Sequence, residues 1–227
     1  MSTLDNIRLA LARRACKLPV QQRLLTHPLP PRHTPVAGME MLALDFETTG
    51  LDTKRDRILS AGWILIRGDR IVMANAREVR VRSETPEGVG QSAVIHGIVD
   101  SDLDQAEESA TMLEHLFHEL AGRPIVAHAS WIERGFLNAL LHRLGGIALM
   151  NPFICTMALE RKLIEGEGGH VREQHADLTL DACRLRRGLP EHQRHSAGAD
   201  ALATAELFLA QVALLGGANK VTLRDLG

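Results

Sequence analysis

Residues 41–51, reading MLALDFETTGL, constrain this chain more than any other stretch. The apolar run that opens it predicts a buried strand. Side chains two apart on a strand share a face. Leu42, Leu44 and Phe46 therefore take one face, and Ala43, Asp45 and Glu47 take the other. Two carboxylates at the end of a buried strand repel each other and lose hydration. Unless protonated they need a partner, and a divalent cation is the strongest available. The competing reading is a strand end whose acids point into water. Thr48, Thr49 and Gly50 then break the strand beside the acidic pair.

The rest of the 227 residues supplies a setting for that strand. Residues 2–20 predict a short amphipathic helix with Leu4, Ile7 and Leu11 on one face. The prolines of HPLPPRHTP, residues 27–35, predict an extended linker. Residues 1–38 are thus expected as an N-terminal arm, either packed on the domain or used for a partner: a second copy of the chain or a replication or repair protein. Residues 58–67 and 71–81 predict two strands joined at Gly68-Asp69, and 83–92 a loop. A helix is expected over 101–120, and a short buried strand over 124–128. A helix over 131–144 is expected to turn Trp131, Phe136, Leu140, Leu141 and Leu144 inward. Residues 153–164 read as a very short strand and a helix, 165–175 as a loop, 177–187 as a basic helix and 197–215 as a long helix. The domain is expected to span 39–217, with a polar, frayed tail over 218–227. Strands and helices in this order predict a mixed α/β fold with an antiparallel and a parallel section.

Further acids stand far downstream. Glu133 opens a helix just after the strand 124–128, Asp181 lies on the basic helix, and Asp200 opens the last helix. His195 precedes Asp200 by five residues. Loops that follow short buried strands can converge on one sheet edge. Four carboxylates and a histidine around one point make a two-cation site for phosphoryl transfer, with Mg²⁺ or Mn²⁺ held by carboxylate oxygen. A histidine near neutral pKa can take a proton from an attacking water. His128 reads equally as a core histidine and as a ligand. His192 and His195 have no accompanying cysteine or third histidine, so zinc is not expected. Asp181 reads as a surface acid paired with Arg184. Arg184, Arg186 and Arg187 read as a solvated face or as phosphate contacts.

Composition narrows the functional classes. With Phe 5, Trp 2 and Tyr 0, the chain cannot bind nucleic acid mainly through many aromatic platforms. A net charge of −2 excludes a polybasic coat while leaving room for a local basic patch. Cys16, Cys155 and Cys183 lack CxxC spacing, which fits reduced thiols in a cytoplasm. No apolar run of membrane-spanning length occurs, and no secretory leader is expected.

Three segments occur in order: DFETTGL at 45–51, HASWIERGFL at 128–137 and HSAGADALAT at 195–204, with IHGI at 95–98 between the first two. Together they resemble the motifs of the DEDDh class of 3′–5′ exonucleases, especially the epsilon proofreading subunits of bacterial DNA polymerase III and their stand-alone relatives. The resemblance runs from about residue 41 to 215. It implies an RNase H-like fold, a central mixed sheet of five strands flanked by helices. It implies a metal-dependent exonuclease that releases nucleoside monophosphates from a 3′ end, DNA being the expected substrate. A ribonuclease of the same class or a weakly active scaffold are the alternatives. It further implies that Asp45 bridges two cations, that Glu47 and Asp200 hold the ion carrying the attacking water, and that His195 is the general base. Glu133 stands where the class usually has aspartate and would hold the other ion. Thr48, Thr49, Gly50 and Leu51, with His128, would line the terminal nucleotide.

Overall fold

The computed structural model describes residues 3–82, 106–166, 176–193 and 195–227. The loop expected over 83–92, the IHGI segment at 95–98, the first residues of the 101–120 helix and most of the loop 165–175 lie outside the described residues.

The central strand forms as its alternation requires. It is β1, Glu40–Thr48. Strand β2, Ile58–Arg67, pairs antiparallel with it, and β3, Arg70–Arg80, pairs antiparallel with β2. On the other side lie two short parallel strands, β4 (Ile125–Ala127) and β5 (Phe153–Cys155). The sheet order is β3-β2-β1-β4-β5, the mixed five-stranded sheet expected. The helices are α1 (Thr3–Ala15), α2 (Pro19–Leu24), α3 (Ser109–Leu120), α4 (Trp131–Arg143), α5 (Thr156–Gly166), α6 (Leu180–Arg186) and α7 (Ala197–Leu214).

Alternation along β1 splits the core into two layers. Leu42, Leu44 and Phe46 join Met112, Leu113, Leu116 and Phe117 of α3 and Phe136, Leu137, Leu140 and Leu141 of α4. Met41 and Ala43 join Ile64, Ile66, Val126 and Ile154 of the sheet and Ala205, Phe208 and Val212 of α7. Alanines at 201 and 205 are fully buried and let α7 lie close to the sheet. By length and composition α7 could cross a membrane, but it is packed on β1 and β2 and carries Asp200 and Glu206.

Two segments expected outside the core are packed into it. Pro19 ends the first helix early, because proline at a helix start removes no needed donor whereas mid-helix it would. The short α2 then sends Val20 and Leu24 into the core. Gln21, fully buried, donates to the Ile147 carbonyl at 2.7 Å and accepts from the Ile147 amide at 2.8 Å. The proline-rich stretch meets the C-terminal residues. Val36 N donates to Val221 O at 2.9 Å, Leu223 N to Thr34 O at 3.1 Å and Arg224 N to Arg32 O at 2.7 Å. Val221, Leu223 and Leu226 are buried, so the last ten residues are seated rather than frayed. Their three apolar side chains, evenly spread through a polar run, supply the contact.

Two of the three arginines of the basic helix, Arg184 and Arg187, are turned inward rather than forming a solvated face, while Arg186 stays exposed. Arg184 is 2% exposed and donates to Ala203 O at 2.7 Å and Pro190 O at 3.0 Å, with Glu206 Oε2 at 2.8 Å. Arg186 and Arg187 donate to Glu160, which is fully buried on α5. A buried carboxylate must be paired and hydrogen-bonded. Glu160 recruits both arginines and the Gln211 amide, and this network fastens α6 to α5 and α7.

Candidate active site

The site lies where β1 ends. Glu47 is the last residue paired in register with β2 before the irregularity at Thr48. The following turn is fixed by its own side chains. Thr48 Oγ1 donates to Gly50 O at 2.7 Å and Thr49 Oγ1 to Asp56 Oδ1 at 3.0 Å. Asp56 Oδ2 accepts from the Asp52 amide at 2.8 Å. A Cβ at Gly50 would lie 2.5 Å from Asp56 Oδ2, so a side chain there would displace the carboxylate that ties the turn.

The last helix is brought to this point by another glycine. Gly62 of β2 pairs directly with Asp45. A Cβ on Gly62 would lie 2.0 Å from the backbone carbon of Ala197. Only a bare Cα therefore lets the start of α7 sit on the sheet opposite Asp45. Ser196 caps that helix by accepting from Ala199 N at 3.4 Å, and donates to Glu78 Oε2 at 2.6 Å. Gly62→Ala is expected to cost at least about 1–3 kcal/mol by overpacking, and to push Asp200 off the cluster. A thermal melt with and without Mn²⁺ checks this, and a wild-type melting temperature with a wild-type metal response contradicts it.

Asp45, Glu47 and Asp200 each place a carboxylate oxygen within 4.8 Å of the others. Burial, then the charges of Glu133, Asp200, Glu47 and Glu78, push the Asp45 carboxyl well above its ordinary range. Glu133 of α4 is 3% exposed, and its Oε2 has no hydrogen-bond partner among the described residues. Burial is the main cause that raises its pKa to about 8. A buried Asp45 carboxyl crowded by neighbouring acids, with one buried Glu133 oxygen orphaned, fits a cationic guest. Oxygen-only donors suit a hard divalent ion. Glu133, in place of the usual aspartate, lines the same cleft and its charge acts on Asp45, but it stands outside the three acids whose oxygens lie within 4.8 Å of one another.

An open cleft of about 540 Å³ covers these acids. Thr48, Thr49, Gly50, Leu51, His128 and His195 all line it, with Asp181 and His192. His128 is tied inward: its Nε2 donates to Leu178 O at 2.8 Å and its Nδ1 accepts from Thr156 Oγ1 at 2.9 Å. Burial lowers its pKa, so the neutral ring is favoured. His195 is exposed, with φ 68, and its amide lies 3.3 Å from Asp200 Oδ2. Ala129 has φ 54. These are the positive-φ residues other than glycine among the described ones, and both border the cleft. Such backbone costs on the order of 1 kcal/mol or more and collects at functional sites.

Sequence reasoning missed two residues here. His192 Nε2 donates to Asp200 Oδ1 at 2.6 Å, and its Nδ1 lies 3.3 Å from Asp181 Oδ1. The expected Asp181–Arg184 pair is replaced by this arrangement, because Arg184 is drawn into the core. Glu78, on β3, adds its charge to the field at Asp45 and holds the start of α7. Its signal was strand alternation alone, which says nothing about a helix 120 residues away.

The five-stranded mixed sheet thus carries its clustered carboxylates at the end of the central strand. The chain belongs to the exonuclease family, whose model matches residues 42–208. It is 29% identical over 174 residues to a PolC-type DNA polymerase III of Thermotoga maritima, covering 77% of this chain and 12% of that one. It is 32% identical over 180 residues to a DNA polymerase III subunit epsilon-like protein of Rhodobacter capsulatus, covering 78% of this chain and 24% of that one. To the epsilon subunit of Treponema pallidum the identity is 27% over 171 residues, 75% of each chain. The fold is similar to E. coli exonuclease I in complex with a dT13 oligonucleotide, with a TM-score of 0.63 at 14% identity over 78% of this chain and 42% of that chain. Cell-death related nuclease 4 gives a TM-score of 0.64 at 16% identity, over 82% and 67% of the two chains.

Proposed function

We propose that this protein is a 3′–5′ exonuclease that hydrolyses DNA from its 3′ end to nucleoside 5′-monophosphates with two divalent cations, Mg²⁺ or Mn²⁺. The observation that carries this reading is the acid cluster of Asp45, Glu47 and Asp200 beside the orphaned, buried Glu133. These four residues would hold the cations, which supply charge neutralisation at the phosphate and a more acidic attacking water. Asp45, at the centre of the crowding, is the acid suited to both ions. Thr48 to Leu51 form a turn locked by Asp56, a rigid wall for the terminal nucleotide. His195 takes the proton of the attacking water on a ring nitrogen as the water oxygen bonds to phosphorus. The P–O3′ bond breaks and the leaving 3′-oxygen takes a proton from solvent, leaving a strand shortened by one nucleotide with a 3′-hydroxyl. The DNA polymerase III relatives and the dT13 complex of the structural neighbour favour DNA.

The test is digestion of 3′-labelled linear single-stranded DNA, duplex DNA and RNA beside a closed circular single strand. Linear DNA should release labelled nucleoside monophosphate from the first turnover, while the circle should survive. Rapid cutting of the circle would overturn the exonuclease reading, and faster digestion of RNA would overturn the substrate.

A further inference from the structure

The expected inward face of α4 does not include Trp131. Its ring is 60% exposed, whereas Phe136, Leu137, Leu140 and Leu141 are buried. All five Phe and both Trp of the chain fall among the described residues, and the other six are at most 9% exposed. The protein therefore has one aromatic ring of this kind available to anything outside it, and it stands at the rim of the cleft. Ala129, Ile132 and Glu133, on either side of it in sequence, all line that cleft.

The same rim carries the turn after β1. On a helix, residues four apart share a face, and each side chain leans toward the N-terminus. Gly135 shares Trp131's face, and a Cβ there would lie 3.0 Å from Thr53 Cγ2. The turn thus packs on this face of α4, one helical step from Trp131. Leu51, 77% exposed, comes from this turn, as do the exposed Lys54 and Arg55. Asp52 lies among them: its Oδ1 accepts from the Lys54 amide at 2.9 Å and its Oδ2 is 3.8 Å from Arg55 Nε. That exposed pair contributes little and leaves both cations facing solvent. A flat ring with cations beside it is the chemistry that holds single-stranded nucleic acid, with bases stacked on the ring and phosphates beside the cations.

We propose that Trp131 is a stacking platform for a base upstream of the nucleotide being removed, with Lys54 and Arg55 beside its phosphate. This rests on the exonuclease reading and extends it. Trp131 sets the grip on the strand outside the cleft, a specificity role distinct from the chemistry at Asp45. The platform favours single strands, because a paired base cannot present its face to a ring.

Intrinsic fluorescence tests this directly, since Trp63 is 1% exposed and there is no Tyr. Oligothymidylates of increasing length are titrated in Ca²⁺ without Mg²⁺, with iodide as the quencher, and digestion of the same strands is followed separately in Mg²⁺. Oligonucleotides of several residues are expected to quench Trp131 emission and shield it from iodide. Trp131→Ala should raise KM for the strand by about 5- to 100-fold, the share of one stacked base, with a much smaller change in kcat. Trp131→Phe should recover most of the loss. Normal digestion with unchanged Trp131 emission and a wild-type KM for Trp131→Ala would overturn the platform alone. Binding and quenching with no digestion by the wild-type protein would instead overturn the exonuclease reading.

Discussion

Exhaustive chelation is expected to stop hydrolysis outright, and Mg²⁺ or Mn²⁺ to restore it. Full activity after chelation would end the two-cation reading. The same treatment should expose a pH dependence of stability whose sign follows from the acids. Glu133 has its pKa raised from 4.5 to about 8 in the folded protein, and Asp45 is raised too. A carboxyl with a folded pKa above its unfolded one binds its proton more tightly when folded. Its stabilising contribution is therefore full at low pH and is lost as pH rises through the folded pKa. The metal-free protein should accordingly lose melting temperature between about pH 5 and about pH 8. Saturating Mn²⁺ should flatten that slope, because the cation replaces the protons. Glu133→Gln should flatten part of the slope without metal, while losing most activity and most binding of one ion. A melting temperature that rises with pH in the metal-free protein, or a Glu133→Gln rate equal to wild type across a Mg²⁺ titration, would remove Glu133 from the site.

Much of this site is legible in the chain because its parts are local. Alternation alone places Asp45 and Glu47 on one face of a buried strand. The spacing of His195 and Asp200 survives because both sit at the start of one helix, whose N-cap Ser196 is readable as such. Partners set by distant packing are not legible. His192 meets Asp200 only because the residues before α7 fold back beside it. The arginines at 184 and 187 look solvent-facing until their partners on other helices, the Ala203 carbonyl and the buried Glu160, are in place. Trp131 was misplaced by a simpler error. Five residues separate it from Phe136, which at about 100° per residue puts the two rings well apart around the helix. The pairing of residues 32–37 with 218–224 joins the two ends of the chain, and no local propensity encodes such a contact.

His195→Ala is expected to lower the hydrolysis rate by about 10²- to 10⁴-fold, the usual share of general-base catalysis. Cation binding should be nearly intact, because the His195 side chain is exposed and the link to Asp200 runs through its backbone amide. His192 is the structural rival. It touches Asp200 through a 2.6 Å hydrogen bond and is only 10% exposed. A histidine that donates to a ligating carboxylate orients it, and losing such a partner typically weakens metal affinity or activity by about 10- to 100-fold. His192→Ala should therefore shift the Mg²⁺ concentration needed for half-maximal rate upward, and excess metal should recover most of the rate. His192→Asn should recover part of the affinity, since its amide can still donate. His195→Ala should recover nothing at any metal concentration. Metal titrations of rate, paired with calorimetric titrations of Mn²⁺, separate the two roles. A metal-rescued His195→Ala beside a metal-insensitive His192→Ala would exchange them and make His192 the base.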